Sequence, residues 1–462
     1  MPSRARIRTR TAVALGAAVL RFLRLVGKGA TTLPGKTALA VDPGLLQALA
    51  ADVPVACVTG TNGKTTTTRM LCAILRGRGR TVVTNRSGAN LATGLATTLI
   101  ESRKRLPDPK AVVVLEVDEA AFRRVAGPLA PRAAVVTNLF RDQLDRYGEL
   151  ATTLRFLSEG LDACGATLVA NADDSLAASL GRGREDRALY FGFEPGAMLP
   201  PDAVRATEAT HCLSCGAAYV YAARTYGHLG DFACPSCGWR RPAPSVTLRG
   251  ILAESPTGSR AVLACGDEAL EAHVPVPGRY NLYNALAAVS AAVALGEPFA
   301  EAVRLLPDTD VGFGRMELIQ ADDRRIRLVL VKNPAGFDQA VDFLTSADDV
   351  GGAVFALNDG IADGTDVSWI WDADLERLAA RDRVPVRVGA SGTRAADMAL
   401  RLSYAGVPGD RIETDPDAHA LVKRMLAACP PGSCLYVLPT YTAMLALRAR
   451  LAAEFGLAGF WE

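Results

Sequence analysis

A chain of 462 residues with 49% apolar and 6% aromatic side chains is long enough for two or three globular units, with cores that rest on small aliphatic residues. Its net charge of +2 hides a split: Arg4, Arg6, Arg8, Arg10, Arg21, Arg24, Lys28 and Lys36 all precede the first acidic residue, Asp42, and the rest of the chain carries 43 basic against 49 acidic side chains. The acidic body argues against a general nucleic-acid binder, and ten mostly scattered cysteines argue against a disulfide-stapled secreted fold.

The apolar stretch 12–20 is shorter than the roughly 20 residues a membrane span needs, and Arg21 and Arg24 interrupt it with no convincing cleavage site behind them. The expectation is a cytoplasmic protein whose residues 1–40 form a basic leader and helix. Such a leader suits an anionic partner, a membrane surface or phosphate-bearing substrate; the plainer reading is a solvated, partly disordered terminus.

The run 53–59 is continuously apolar and ends in Gly60-Thr61-Asn62-Gly63-Lys64-Thr65, after which 65–76 has helical character. Strand, glycine-rich turn and helix N-terminus together make an anion cradle, because unpaired backbone N–H groups and the positive end of the helix dipole face a phosphate. In that motif Lys64 reaches the β- and γ-phosphates and the Thr65 hydroxyl can ligate Mg²⁺. Val58 stands where the common eight-residue pattern has its first glycine.

Short apolar runs at 111–117, 133–137 and 166–170, separated by helix-length segments, predict a parallel sheet covered by helices. Residues 205–245 break this rhythm and read as an insertion. Strands at 247–252 and 260–263 and an Ala-rich helix at 280–295 complete a central domain over 41–311. A smaller α/β domain follows over 312–462, with strands at 325–331, 352–357, 384–388 and 435–438 and helices at 375–380, 395–402 and 417–428.

Within the insertion, Cys212-Leu-Ser-Cys215 and Cys234-Pro-Ser-Cys237 form two C-x₂-C turns, each followed by glycine. Four thiolates close a tetrahedral zinc shell with no open position, so the expected site is structural. His211 and His228 lie close by in sequence, with surface or supporting roles favoured over ligation.

The shortened loop, with Thr66, Thr67 and Thr68 behind it, resembles that of Mur ligases and folylpolyglutamate synthases. Several further segments follow in that family's order. Glu116 resembles its magnesium-binding glutamate. Thr137-Asn138 through Gln143 to Tyr147 resembles the segment beside the γ-phosphate, and Asn171-Ala-Asp-Asp174 follows the next strand. Asn281 and Asn284 lie in a helix resembling the one that contacts the nucleotide base. Gly314-Arg315-Met-Glu317 resembles its arginine element. Two departures stand out: Gln143 replaces the usual histidine, and no lysine occurs between Lys110 and Lys332, so the family's carbamylated lysine is missing.

With the inserted ribbon, Lys332-Asn-Pro-Ala-Gly-Phe337, Leu357-Asn358-Asp359 and Asp363-Gly-Thr-Asp366, the whole chain resembles the MurT family, the synthetase subunits of lipid II isoglutaminyl synthase. The resemblance implies ATP- and Mg²⁺-dependent amidation of a D-glutamate α-carboxylate in the lipid II stem peptide through an acyl phosphate, at the inner face of the cytoplasmic membrane. Lys64 and Glu116 would act in catalysis, with Thr65 and Glu116 holding the metal. Gly60, Thr61, Asn62, Gly63, Lys64, Thr65, Thr66, Asn138, Asn281, Asn284 and Arg315 would hold the nucleotide.

No cysteine stands in a recognisable nucleophile turn, so ammonia is expected from a GatD-like glutaminase partner. The resemblance implies that Asp366 completes that partner's Cys–His pair; on its own residues a turn or cap aspartate is the favoured reading. Two other readings stay open: an amino-acid-adding Mur or folylpolyglutamate-type ligase, and a zinc-ribbon ATPase acting on nucleic acid.

Overall fold

Residues 4–26, 31–85, 88–141, 150–204, 208–309, 315–379 and 387–457 are described in a computed structural model of the chain. They divide into two compact units: one comprises Met1–Phe140, Glu149–Pro275 and Arg279–Asp310, and the other is mainly Val311–Glu462.

The first unit opens with three helices, α1 (Arg4–Leu25), α2 (Leu33–Val41) and α3 (Leu45–Ala50). The basic segment is built into this unit. Ala12, Ala17 and Leu20 of α1 are buried, and Gly16 lets the helix sit so close that a Cβ there would lie 2.7 Å from Ile100 Cδ1. Thr9 donates to Asp42 Oδ2 at 2.6 Å.

β1 (Val55–Thr59), α4 (Lys64–Gly77), β2 (Thr81–Thr84), α5 (Ala92–Ser102), β3 (Ala111–Glu116), α6 (Glu119–Leu129), β4 (Ala133–Val136), α7 (Leu150–Ala163), β5 (Thr167–Asn171), α8 (Ser175–Ser179) and β6 (Ala188–Phe193) then alternate. The inserted hairpin β7 (Val220–Arg224) and β8 (Gly230–Ala233) follows, then β9 (Val246–Ser255), β10 (Gly258–Cys265), β11 (Glu268–Val274), α9 (Arg279–Ala294) and α10 (Phe299–Arg304). The main sheet runs β11-β10-β9-β6-β5-β4-β1-β3-β2, parallel from β2 through β9 and antiparallel at β9-β10-β11.

β1, β3 and β4 are buried at every position, as central parallel strands covered on both faces must be. From β1 the chain crosses past β3 to β2, and from β3 it returns past β1 to β4 on the other side. The crevice beyond the carboxyl end of β1 is therefore a topological switch point, where open α/β sheets take their ligands.

The second unit contains β12 (Arg315–Ala321), β13 (Arg324–Val329), α11 (Pro334–Ser346), β14 (Val350–Ala356), β15 (Val388–Ser391), α12 (Ala395–Tyr404), β16 (Ile412–Asp415), α13 (Ala418–Ala428), β17 (Cys434–Pro439) and α14 (Tyr441–Phe455). Its sheet runs β12-β13-β17-β14-β15-β16, with β12 antiparallel to β13 and the remaining pairs parallel.

Three expectations are adjusted here. The strand expected at 384–388 forms at Val388–Ser391 instead, where Gly389 packs against Met425 with no room for a Cβ; residues 380–386 lie outside the described residues. The helix expected at 375–380 is a single 3₁₀ turn, Leu375–Leu378. β2, β6, β7, β8, β11, β12 and β16 were not read from the sequence.

Burial pushes the Asp338 carboxyl on α11 up to about 6, against the lowering pull of the Asp374 N–H and Arg377. An acid whose pKa is raised by folding favours the folded state at low pH. That contribution is present below the ordinary aspartate pKa of about 4 and is lost as pH rises through the folded value. Asp338→Asn is therefore expected to raise the melting temperature by about 2–4 °C at about pH 7.5 and to change it little near pH 4, as read by thermal scans at both values.

Candidate active site

The loop after β1 is held in one conformation from two sides. Gly60 has φ +121°, and a Cβ there would lie 2.4 Å from Thr137 Oγ1 and 2.9 Å from the Asn138 carbonyl. Thr61 N–H donates to the Asn138 carbonyl at 2.8 Å. The Thr61 hydroxyl donates to the Phe140 carbonyl at 3.1 Å and accepts from the Phe140 N–H at 3.0 Å. Asn62 and Asn138 exchange bonds of 2.9 and 3.1 Å between backbone and side-chain amide, and Thr137 Oγ1 donates to the Asn62 carbonyl at 2.7 Å. The segment after β4 thus fixes the loop that follows β1.

Gly63 precedes the first turn of α4 in the left-handed region, at φ +85°. Asn284 of α9 sits beneath it, donating to Asn281 Oδ1 at 2.9 Å and meeting Thr67 Oγ1 at 3.4 Å. Asn281 and Asn284 are buried, and these bonds brace α9 against α4. Thr66 is half-exposed in the first turn of α4.

Lys64 Nζ lies 3.2 Å from both carboxylate oxygens of Glu119 and donates to the carbonyls of Gly60 and Thr61. Both ion-pair partners are largely buried, where a lone charge would be costly. The Thr65 hydroxyl donates to Glu116 Oε2 at 2.7 Å. Glu116 ends β3 opposite Val58 of β1, and Asn85 holds its backbone with two bonds of 2.9 Å. A hydroxyl, two carboxylates and an ammonium thus gather at one helix N-terminus, a donor set that matches a nucleotide phosphate and a hard divalent cation. Gln143, Tyr147 and Gly314 lie outside the described residues.

In the insertion, Cys212 and Cys237 Sγ are 3.5 Å apart and Cys215 and Cys234 Sγ 3.4 Å apart, with all four within 4.8 Å of one another. Thiolates on one tetrahedral ion at ~2.3 Å would be spaced ~3.8 Å, so the cluster fits such an ion closely. Gly216 and Gly238 close the two turns at φ +73° and +74°. Burial alone would raise the Cys212 thiol, but the N–H groups of Ser214 and Cys215 outweigh it and hold the thiol at about 6. The N–H of Cys237 likewise lowers Cys234.

The base of this ribbon is wired to the loop. His228 is fully buried, its ring 4.6 Å from that of Phe140 and its Nε2 3.1 Å from Asp174 Oδ1. That approach is close enough for ion pairing but not aligned for a hydrogen bond. Burial disfavours the charged ring, yet the Asp174 carboxylate outweighs it and raises its pKa.

Asp174 also accepts from the Leu139 N–H at 2.6 Å and caps α8. Asp173 takes Arg241 Nε at 2.6 Å, the Phe193 N–H at 2.9 Å and the Tyr283 hydroxyl at 2.6 Å, and Thr225 meets that hydroxyl at 2.8 Å. The insertion therefore contacts both the segment that clamps the loop and the helix beneath Gly63.

Comparisons with known proteins agree with this geometry. Residues 58–223 match the Mur ligase middle domain, and residues 330–444 match the MurT ligase C-terminal family. The chain is 36% identical to the lipid II isoglutaminyl synthase (glutamine-hydrolyzing) subunit MurT of Streptococcus pneumoniae, over 94% of each chain. The chain belongs to the MurT family.

The Staphylococcus aureus MurT subunit is 31% identical over 86% of this chain and 88% of its own length. A pseudomurein peptide ligase type C from Methanothermus fervidus shares the fold with a TM-score of 0.67 at 22% identity, covering 89% of this chain and 80% of that one. Membership makes this MurT-family chain an ATP-dependent, amide-bond-forming ligase.

In the MurT-type C-terminal unit, Asp363 accepts from the Thr442 N–H at 2.7 Å and Asn358 donates to the Thr442 hydroxyl at 2.9 Å, pinning the loop after β14 to the start of α14. Asp366 lies further along that loop, exposed. It accepts from the Ser368 N–H at 2.8 Å, which holds its carboxyl below the usual aspartate range. Arg315 begins β12, paired with Val329.

Sequence reasoning gave no role to Glu119, Asp173 or Tyr283. The acidic cluster 116–119 was a signal for the first, since a phosphate-loop lysine needs a counter-charge when no nucleotide is bound.

Proposed function

We propose that this chain amidates the α-carboxylate of D-glutamate in the lipid II stem peptide, giving D-isoglutamine at the inner face of the cytoplasmic membrane. A separate GatD-like glutaminase would supply the ammonia. The observation that carries this reading is the near whole-length likeness to subunits named for that reaction.

In this reading a substrate carboxylate oxygen attacks the γ-phosphorus of ATP and ADP leaves. Ammonia then adds to the acyl carbon of the acyl phosphate, phosphate departs, and the nitrogen gives up a proton. Lys64 would leave Glu119 to neutralise the β- and γ-phosphates, while the N–H groups at the start of α4 hold the chain of phosphates in line. Thr65 and Glu116 would hold a magnesium ion, which would offset charge on the transferring group. The nucleotide would also meet Gly60 through Thr66 and Asn138, with Asn281 and Asn284 completing its site. The four thiols would hold a structural zinc, and exposed Asp366 would orient the partner's catalytic histidine.

The test is to incubate the protein with lipid II, ATP, Mg²⁺ and ammonium, or with glutamine and the glutaminase, and to record the product mass. A loss of about one dalton marks replacement of a carboxylate OH by NH₂. Addition of a whole amino acid, or ATP hydrolysis dependent on nucleic acid, would replace the proposal with one of the other two readings. Glu116→Gln keeps an acceptor for Thr65 but removes the charge. It should lower turnover by about 10–100-fold and raise the Mg²⁺ concentration needed for half-maximal rate, as seen in a Mg²⁺ titration.

A further inference from the structure

α1 carries two apolar faces, and only one of them is used within the first unit. Ala12, Gly16 and Leu20 turn inward. On the opposite side Ile7 is 52% exposed, Leu15 43%, Phe22 63% and Leu25 86%. At about 100° per residue these four fall within roughly 80° of arc. Thr11 and Ala18, both exposed, lie between them. Arg8 borders one margin of this stripe and Arg10 and Arg21 the other, all exposed. The helix contains no acidic residue.

Large exposed apolar side chains in a row, edged by arginine, are the pattern of a helix that lies in a lipid interface. The apolar stripe enters the acyl boundary while the guanidinium groups meet anionic headgroups. No helix among the described residues is long and apolar enough to cross a membrane.

We propose that α1 docks this chain flat on an anionic bilayer surface, with Ile7, Leu15, Phe22 and Leu25 entering the lipid and Arg8, Arg10 and Arg21 at the headgroups. A second copy is a poor occupant of this face, because symmetric pairing of α1 with itself would set arginine margins against each other with no acidic residue to separate them. The proposal extends the reading of a lipid-carried substrate, yet its test needs no substrate.

The full chain is mixed with vesicles of phosphatidylcholine alone or with about one-third phosphatidylglycerol, in low and moderate salt, and sedimented. Binding to the anionic vesicles is expected to fall by about fivefold for each of Arg10→Gln and Arg21→Gln. It should fall by about tenfold or more for Leu15→Ser with Phe22→Ser, with unchanged circular dichroism and melting temperature, since these side chains point away from the core.

Wild-type protein that stays in the supernatant would overturn the proposal. So would binding that the Leu15→Ser, Phe22→Ser pair leaves intact, or a wild-type dimer that the same pair dissolves in sedimentation velocity. Amidation of detergent-solubilised lipid II is measured in parallel. Its absence counts against the catalytic reading alone, and its survival in the α1 variants separates docking from chemistry.

Discussion

Gly63→Ala is expected to weaken ATP binding by about a hundredfold while leaving a folded protein. Two costs coincide there. The residue sits at φ +85°, which costs an L-side chain about 1–2 kcal/mol. Its new Cβ would stand 2.0 Å from Asn284 Oδ1, and Asn284 cannot swing away because it is buried and tied to Asn281 and Thr67. Relief requires α4 and α9 to part, at roughly 1–3 kcal/mol, and that displaces the N–H groups meant for phosphate. Gly79→Ala is the control: it has φ +73° with nothing within 4 Å, so strain acts alone and far from the loop. Calorimetric titration of both variants with ATP separates the effects. A Gly63→Ala protein that binds within about threefold of wild type would mean that the nucleotide sits elsewhere.

Cys234→Ser is expected to empty the ribbon of metal and to lower the melting temperature by about 10 °C or more, because the binding energy of a four-thiolate zinc is folding energy for a segment with a small core of its own. The apolar core there is Ala178, Cys212, Tyr219, Phe232 and Cys234 with a few half-buried neighbours. The loss should also reach ATP binding. Arg241, Thr225 and His228 leave with the ribbon, exposing the buried Asp173 and removing the props behind Phe140 and Tyr283. Cys265→Ser, on β10 outside the cluster, should do neither. Metal analysis and thermal scans decide the matter: full stability with no bound metal would reduce the ribbon to an ornament of the fold.

The loop and its flanking elements were legible in the sequence because strand, glycines, lysine and helix are contiguous and each is required by the same anion-binding geometry. The C-x₂-C pairs were legible for the same reason. Strands buried on both faces, such as β3, show as unbroken apolar runs. β11 does not, since Glu268, Glu271 and His273 of this edge strand face solvent and its alternation was too short to stand out; β12, at the edge of the second sheet, escaped in the same way. What stayed hidden in the site is long-range. Tyr283 meets Asp173 across 110 residues of sequence, and Lys64 meets Glu119 across 55. Such pairs are set by strand order, which no local pattern encodes.

The lysine–glutamate contact bears on turnover as well as on architecture. An ammonium already balanced by a neighbouring carboxylate gains only the difference when a phosphate replaces that partner, so Glu119 would temper the affinity of the proposed site for nucleotide. Once the γ-phosphoryl group had passed to the substrate carboxylate and departed as phosphate, the same carboxylate would stand ready to reclaim the lysine. On the proposed mechanism Glu119 would thereby compete with ADP for the lysine, favouring a site that clears itself between cycles over one that holds its spent nucleotide.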